Sequence, residues 1–134
     1  MHDYFIYLPK PTSVASWGCA ATGAGHTKIL PHQPYPRNQH PLDHHFDWQR
    51  GRVLPDYQFI LISSGTGVFE CGAMPGVHAV TPGTLLLLFP GVWHRYRPAA
   101  DTGWEEHWLE CSGPALDEAV KKGVLQPTQS LLPA

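Results

Sequence analysis

The stretch YQFILISSGTGVFECGAMPGVHAVTPGTLLLLF, residues 57 to 89, decides how this chain folds. It holds four short apolar runs: 57–63 YQFILIS, 67–71 GVFEC, 77–81 VHAVT and 84–89 TLLLLF. The segments SGTG, GAMPG and TPG part them, supplying glycine for positive φ and proline for fixed φ, so each reads as a turn between strands. Short runs at hairpin spacing predict an antiparallel all-β sandwich or small barrel.

The same pattern extends in both directions. Upstream, ATGAG at 21–25 and LDHHFDW at 42–48 read as strands, with the four-proline segment PHQPYPRNQHP at 31–41 as a rigid, irregular connection between them. Downstream, PGVWHRYRP leads into the strand WEEHWLEC at 104–111. One helix is expected in GPALDEAVKKG, with Pro114 in its first turn, Leu116 and Val120 on one face and Gly123 as its stop. Residues 1–16, with Pro9 and Pro11, read as an extended arm, residues 17–113 as the barrel, and 114–134 as a short helix and the start of a linker. The tail VLQPTQSLLPA is expected to close no element.

Composition narrows the function. At 134 residues the chain suits one domain, and 43% apolar against 15% charged residues is a globular balance. A net charge of -2 offers no basic footprint for a phosphate backbone, so DNA contact by these residues themselves is not expected. Cys19, Cys71 and Cys111 form no C-x-x-C pair and read as small core residues. The N-terminus has only five consecutive apolar residues before Pro9, too few for a signal peptide or a span, so a cytoplasmic setting is expected.

The densest chemistry lies in LFPGVWHRYRPAADTGWEEHW, 88–108. Strand alternation groups Trp104, Glu106, Trp108 and Glu110 on one face, and His94 with Tyr96 on another. Indole, carboxylate and phenol groups suit a sugar, whose C–H face stacks on a ring while its hydroxyls take hydrogen bonds. Two neighbouring strands and their loop are thus expected to build a polar pocket. The same residues also fit a core tryptophan with glutamates at the surface.

The runs FDWQRGRVLPDYQFILISSGTGVFE, VTPGTLLLLFPGVWHRYRP and TGWEEHWLECSG are similar to the N-terminal ligand-binding domain of AraC-type transcription regulators, closest to the branch that senses xylose or arabinose. The resemblance covers about residues 17–113. It implies a cupin-like jelly-roll barrel that binds a small effector, a homodimer, and DNA contact through a separate C-terminal domain. It also implies an arm that folds over the filled pocket. Carried over by matching position, it assigns Arg52 to sugar hydroxyls, Tyr96 to the pocket, Trp108 to ring stacking and Thr22 to a contact on the first strand. Glu106 stands where the arabinose sensor has a histidine. On the residues alone, Arg52 also fits a turn ion pair with Asp47 or Asp56, and Tyr96 a core tyrosine bonded to a backbone carbonyl.

Metal and catalysis are not expected. Of the two cupin metal motifs only the second survives in outline, as Gly83, Gly91 and His94; after Gly65 no His-x-His pair follows. His94 is therefore expected as a hydrogen-bonded group of the barrel wall. There is no G-x-S-x-G elbow, and Glu105 and Glu106 point to opposite faces, so they cannot flank one bond. The reading is a sugar-sensing module with no cofactor. Its rival is a metal-free cupin enzyme, an isomerase or epimerase acting on sugars; a lectin-like module is the third class.

Overall fold

The computed structural model describes residues 3–9, 18–35 and 47–133. Its elements run β1 (Tyr4–Tyr7), β2 (Ala20–Ile29), β3 (Tyr57–Gly65), β4 (Gly67–Cys71), β5 (Met74–Val80), β6 (Thr84–Leu88), β7 (His94–Pro98) and β8 (Trp104–Ser112). Helix α1 (Pro114–Lys121), a 3-10 turn (Pro127–Gln129) and β9 (Leu131–Leu132) follow. Two antiparallel sheets result, one of six strands in the order β1-β2-β8-β3-β6-β9 and one of three in the order β5-β4-β7. Among the described residues this is a cupin-like jelly roll, all-β apart from one short helix. Among the described residues no helix is long and apolar enough to cross a membrane.

Register decides what lines the interior. Read across the large sheet, Gly25, Trp108, Ile60 and Leu86 lie side by side. Gly23, Glu110, Gln58 and Leu88 form the next row, and Thr27, Glu106, Ile62 and Thr84 the one beyond. All three rows are buried. The small sheet contributes Phe69 and Cys71 from β4 and Tyr96 and His94 from β7, paired in register. Ile60, Ile62, Phe69, Leu86 and Trp104 are nearly free of solvent and form the apolar floor. A second cluster of Tyr57, Leu87, Phe89 and Cys111 packs under α1 through Leu116 and Val120.

The strand run 57–89 folds much as its pattern predicts, with β4 at the expected bounds and β5 beginning three residues early, at Met74. The helix lies where Pro114 and Gly123 place it. Cys71 and Cys111 are buried, as small core residues should be. Of the expected strand 42–48, residues 42–46 lie outside the described residues, and Asp47 instead opens a turn that bridges to Gly51. Residues 1–2 and 10–16 of the expected arm, and 36–41 of the proline segment, also lie outside them. Residues 4–7 of that arm pair with β2 as an edge strand.

Two expectations are corrected. The tail does close an element: Leu131 and Leu132 pair with Leu86 and Leu85, and the Leu87 amide donates to the Ser130 carbonyl at 2.7 Å. Two consecutive leucines carry no period to read, but the open edge of β6 needs a partner for its amides. The strands carrying WHRYR and WEEHWLEC are not neighbours. β7 joins the small sheet and β8 the large one, so their residues meet face to face across the interior.

Candidate functional site

Arg52 enters the interior through a backbone bridge with His94, each amide donating to the other's carbonyl at 3.0 Å. Gly51 makes that entry possible. Its φ is +64°, and a Cβ there would come within 2.6 Å of the Trp93 indole nitrogen and 2.7 Å of the His94 carbonyl oxygen. The guanidinium then spreads over three partners. Nε donates to His94 Nε2 at 2.9 Å, and Nη2 to the Tyr96 hydroxyl at 2.6 Å and to Gln58 Oε1 at 3.2 Å.

Burial pushes the His94 pKa down to about 3, and the nearby Arg52 charge adds to the shift. The ring is neutral, accepting at Nε2, while Nδ1 faces the Val92 carbonyl at 3.3 Å. This arrangement does not fit the metal site of metal-binding cupins. A guanidinium faces the one ring nitrogen turned inward, and a second cation beside it is disfavoured. Burial likewise raises the Tyr96 phenol to about 12.

Glu106 forms the opposite wall. Its Oε2 accepts from the Tyr35 hydroxyl at 2.9 Å and from Trp104 Nε1 at 2.9 Å. Burial raises its pKa to about 7, against the lowering pull of those two donors and of Arg52. A carboxyl poised there occurs in both forms near neutrality, so it can donate as well as accept. Tyr35, from the chain after β2, fills the space between the walls. Its ring lies 6.3 Å from that of Tyr96 and 5.9 Å edge-on from that of Trp104.

Trp108 lies against Gly23 and Gly25 of β2, with the Tyr7 ring of β1 at 5.6 Å. Thr22 donates to Glu110 Oε1 at 3.0 Å on the same strand pair. The six residues singled out in the sequence therefore fall into linked groups. Arg52, His94 and Tyr96 share one network, Glu106 faces them with Tyr35, and Trp108 and Thr22 lie along the β2–β8 seam.

Sequence reasoning missed Tyr35 and Gln58 and did not assign Glu110 to the site. Tyr35 lay hidden in a proline-rich segment read only as a connection. The parity of β3 could have exposed Gln58, the one polar side chain between Tyr57 and Ser63. The parity of β8 had already grouped Glu110 with the others. Conversely, Trp93, Arg95 and Arg97 do not belong to the interior. Arg95 bonds to Glu70 and lies over Trp48 at 4.3 Å, and Arg97 lies over Trp48 at 4.0 Å. Three residues of the run 88–108, Trp93, Arg95 and Arg97, thus build an outer cation–π stack with Trp48.

A cleft of about 510 Å3 opens beside Tyr35, bordered also by Trp48, Val68, Arg97 and Gly103. It touches none of Arg52, His94, Tyr96, Glu106 or Trp108. Tyr35 stands between this space and the buried polar network.

Two sheets thus enclose charged, hydroxyl and indole groups between them. The profile of the AraC-like ligand binding domain matches residues 31–133, and the chain belongs to that family. No curated protein matches it. Among solved structures it is similar to the cupin domain of Cnp3 from Schizosaccharomyces pombe, at 8% identity and TM-score 0.47 over 95% of this chain and 70% of that one. It is also similar to a cupin-2 domain from Rhodospirillum rubrum, at 15% identity and TM-score 0.39 over 91% and 87%. A third likeness is to Peruvianin-I, titled a cysteine peptidase, from Thevetia peruviana latex, at 15% identity and TM-score 0.41 over 78% and 68%.

Proposed function

We propose that this domain senses a small polyhydroxylated effector, a pentose or related sugar, bound inside the jelly roll, and that it acts as a binding module rather than an enzyme. Arg52, His94 and Tyr96 take hydroxyls on one side, Glu106 takes one on the other, Trp108 stacks on the ring face, and Thr22 lines the seam. The Tyr35 hydroxyl on Glu106 carries this reading. It is a phenol, flanked by rings and bound by a buried carboxyl, and so presents the contacts a sugar hydroxyl needs. A buried histidine and glutamate, with a half-buried arginine beside them, are costly in a core that serves packing alone.

In this scheme the effector enters from the cleft, displaces Tyr35 and takes over its hydrogen bonds. The β1 arm packs Tyr7 against Trp108, so a ligand resting on that indole changes the contact that holds the arm. Occupancy then passes to a DNA-binding domain of the same cytoplasmic, homodimeric bacterial regulator, which this domain also helps to dimerise.

Calorimetric titration with a panel of pentoses and hexoses tests this, repeated on Trp108→Ala and Arg52→Ala. Saturable binding of one sugar, lost in both variants, is expected. No binding by the folded wild-type domain overturns the sugar reading, and turnover of a bound sugar favours a metal-free isomerase or epimerase.

A further inference from the structure

The outer face of the large sheet carries a second cluster that the sugar pocket does not use. Alternation along β8 turns Glu106 and Trp108 inward and Glu105 and His107 outward. His26 of β2 is the direct cross-strand partner of His107, and the two imidazole centroids lie 4.6 Å apart. His26 Nε2 meets Glu105 Oε2 at 2.6 Å. Ser63 Oγ, displaced by the register shift in β3, lies 3.0 Å from His107 Nε2 and 3.4 Å from Glu105 Oε1.

We propose that His26, Glu105 and His107 form a binding site for a divalent transition metal, zinc in the first instance, that ties β2 to β8 on the outside of the jelly roll. The ligand atoms of the three residues lie within 4.8 Å of one another. A tetrahedral zinc ion with bonds of about 2.0–2.1 Å holds its ligand atoms about 3.3 Å apart, so closure requires shifts of about 1 Å. Two imidazoles and one carboxylate make a borderline donor set that suits zinc rather than calcium or magnesium. The fourth position faces Ser63 and solvent, and a water there has the serine hydroxyl as its partner.

One member of this cluster is fully buried. His26 is 1% exposed although it lies on the outward face of its strand, under the Tyr4 ring of β1 at 6.3 Å. Its Nδ1 is buried and finds no hydrogen-bond partner. Here the ring is held only through the nitrogen turned toward Glu105. Glu105 and His107 are half-buried, which leaves the approach from solvent on their side.

The experiment is calorimetric titration of the untagged chain with zinc chloride. Cobalt(II) is added in parallel, because its visible bands report tetrahedral coordination and not mere adsorption. One ion per chain, tetrahedral cobalt bands, and at least a 100-fold loss of affinity in both His107→Gln and Glu105→Gln are expected, with His78→Gln unchanged. Circular dichroism of the metal-free variants confirms that they fold, and both sites are exposed enough for conservative replacement. No binding by the wild-type chain overturns the proposal. So does binding that survives both substitutions, which assigns the metal to other histidines among the nine.

Discussion

Trp108 lies so close across Gly25 that a Cβ on the glycine would come within 2.4 Å of the indole. The two are direct cross-strand partners, and the missing side chain makes room for the flat ring. Gly25→Ala forces the indole off its seat and away from Tyr7. A loss of about 1–3 kcal/mol in urea unfolding is expected, with a shifted tryptophan emission. Unchanged stability and emission in the variant contradict this packing.

Tyr35 and Glu106 are coupled through one hydrogen bond across the interior. Removing the phenol leaves Trp104 as the donor at that carboxyl oxygen. Tyr35→Phe is expected to cost about 1–3 kcal/mol. In a double-mutant cycle with Glu106→Gln the two losses fall short of adding, by about 1 kcal/mol. Strict additivity shows that the two groups do not meet.

His94 makes stability depend on pH. Its folded pKa of about 3 lies below the usual 6.5. The unfolded chain therefore binds the extra proton first, and the stabilisation from neutral His94 is complete above about pH 6.5 and lost as pH falls toward 3. Arg52, Tyr96 and Cys71 face the ring, and only Arg52 brings a fixed positive charge there. Glu106, raised to about 7, works with the opposite sign between about pH 4.5 and 7 and flattens the wild-type profile. The comparison is therefore with His94→Gln, which keeps an acceptor for Arg52. The difference between the two stability profiles should change by about 1.4 kcal/mol per pH unit within the window. Parallel profiles refute the assignment.

β9 closes the edge of β6. Removing residues 127–134 deletes the pairing of Leu131 and Leu132 and the Ser130 carbonyl that receives the Leu87 amide. A loss of about 2–3 kcal/mol is expected, from unpaired amides and newly exposed leucines. Light scattering should also rise, because a bare strand edge recruits other chains. A truncated chain as stable and as soluble as the full one removes β9 from the fold's support.

The amino-acid pattern by itself determined the architecture. Glycine and proline at the turns between residues 57 and 89 set the strands, Pro114 and Gly123 set the helix, and alternation chose the faces of β7 and β8. These are local properties, written in neighbouring residues and legible without a partner strand. The same alternation grouped Glu106 with Trp108 and His94 with Tyr96 on shared faces, and the resemblance added Arg52 and Thr22.

Only the tertiary structure decided which strand meets which. It set β7 and β8 in opposite sheets, brought Tyr35 across 71 positions to Glu106, and paired the tail leucines with β6. It also set His26 beside Glu105 and His107, which lie 79 or more positions away and carry no motif spacing. Such contacts depend on the order of strands across a sheet, which is settled by the joint burial of both faces. No single run of residues contains that information.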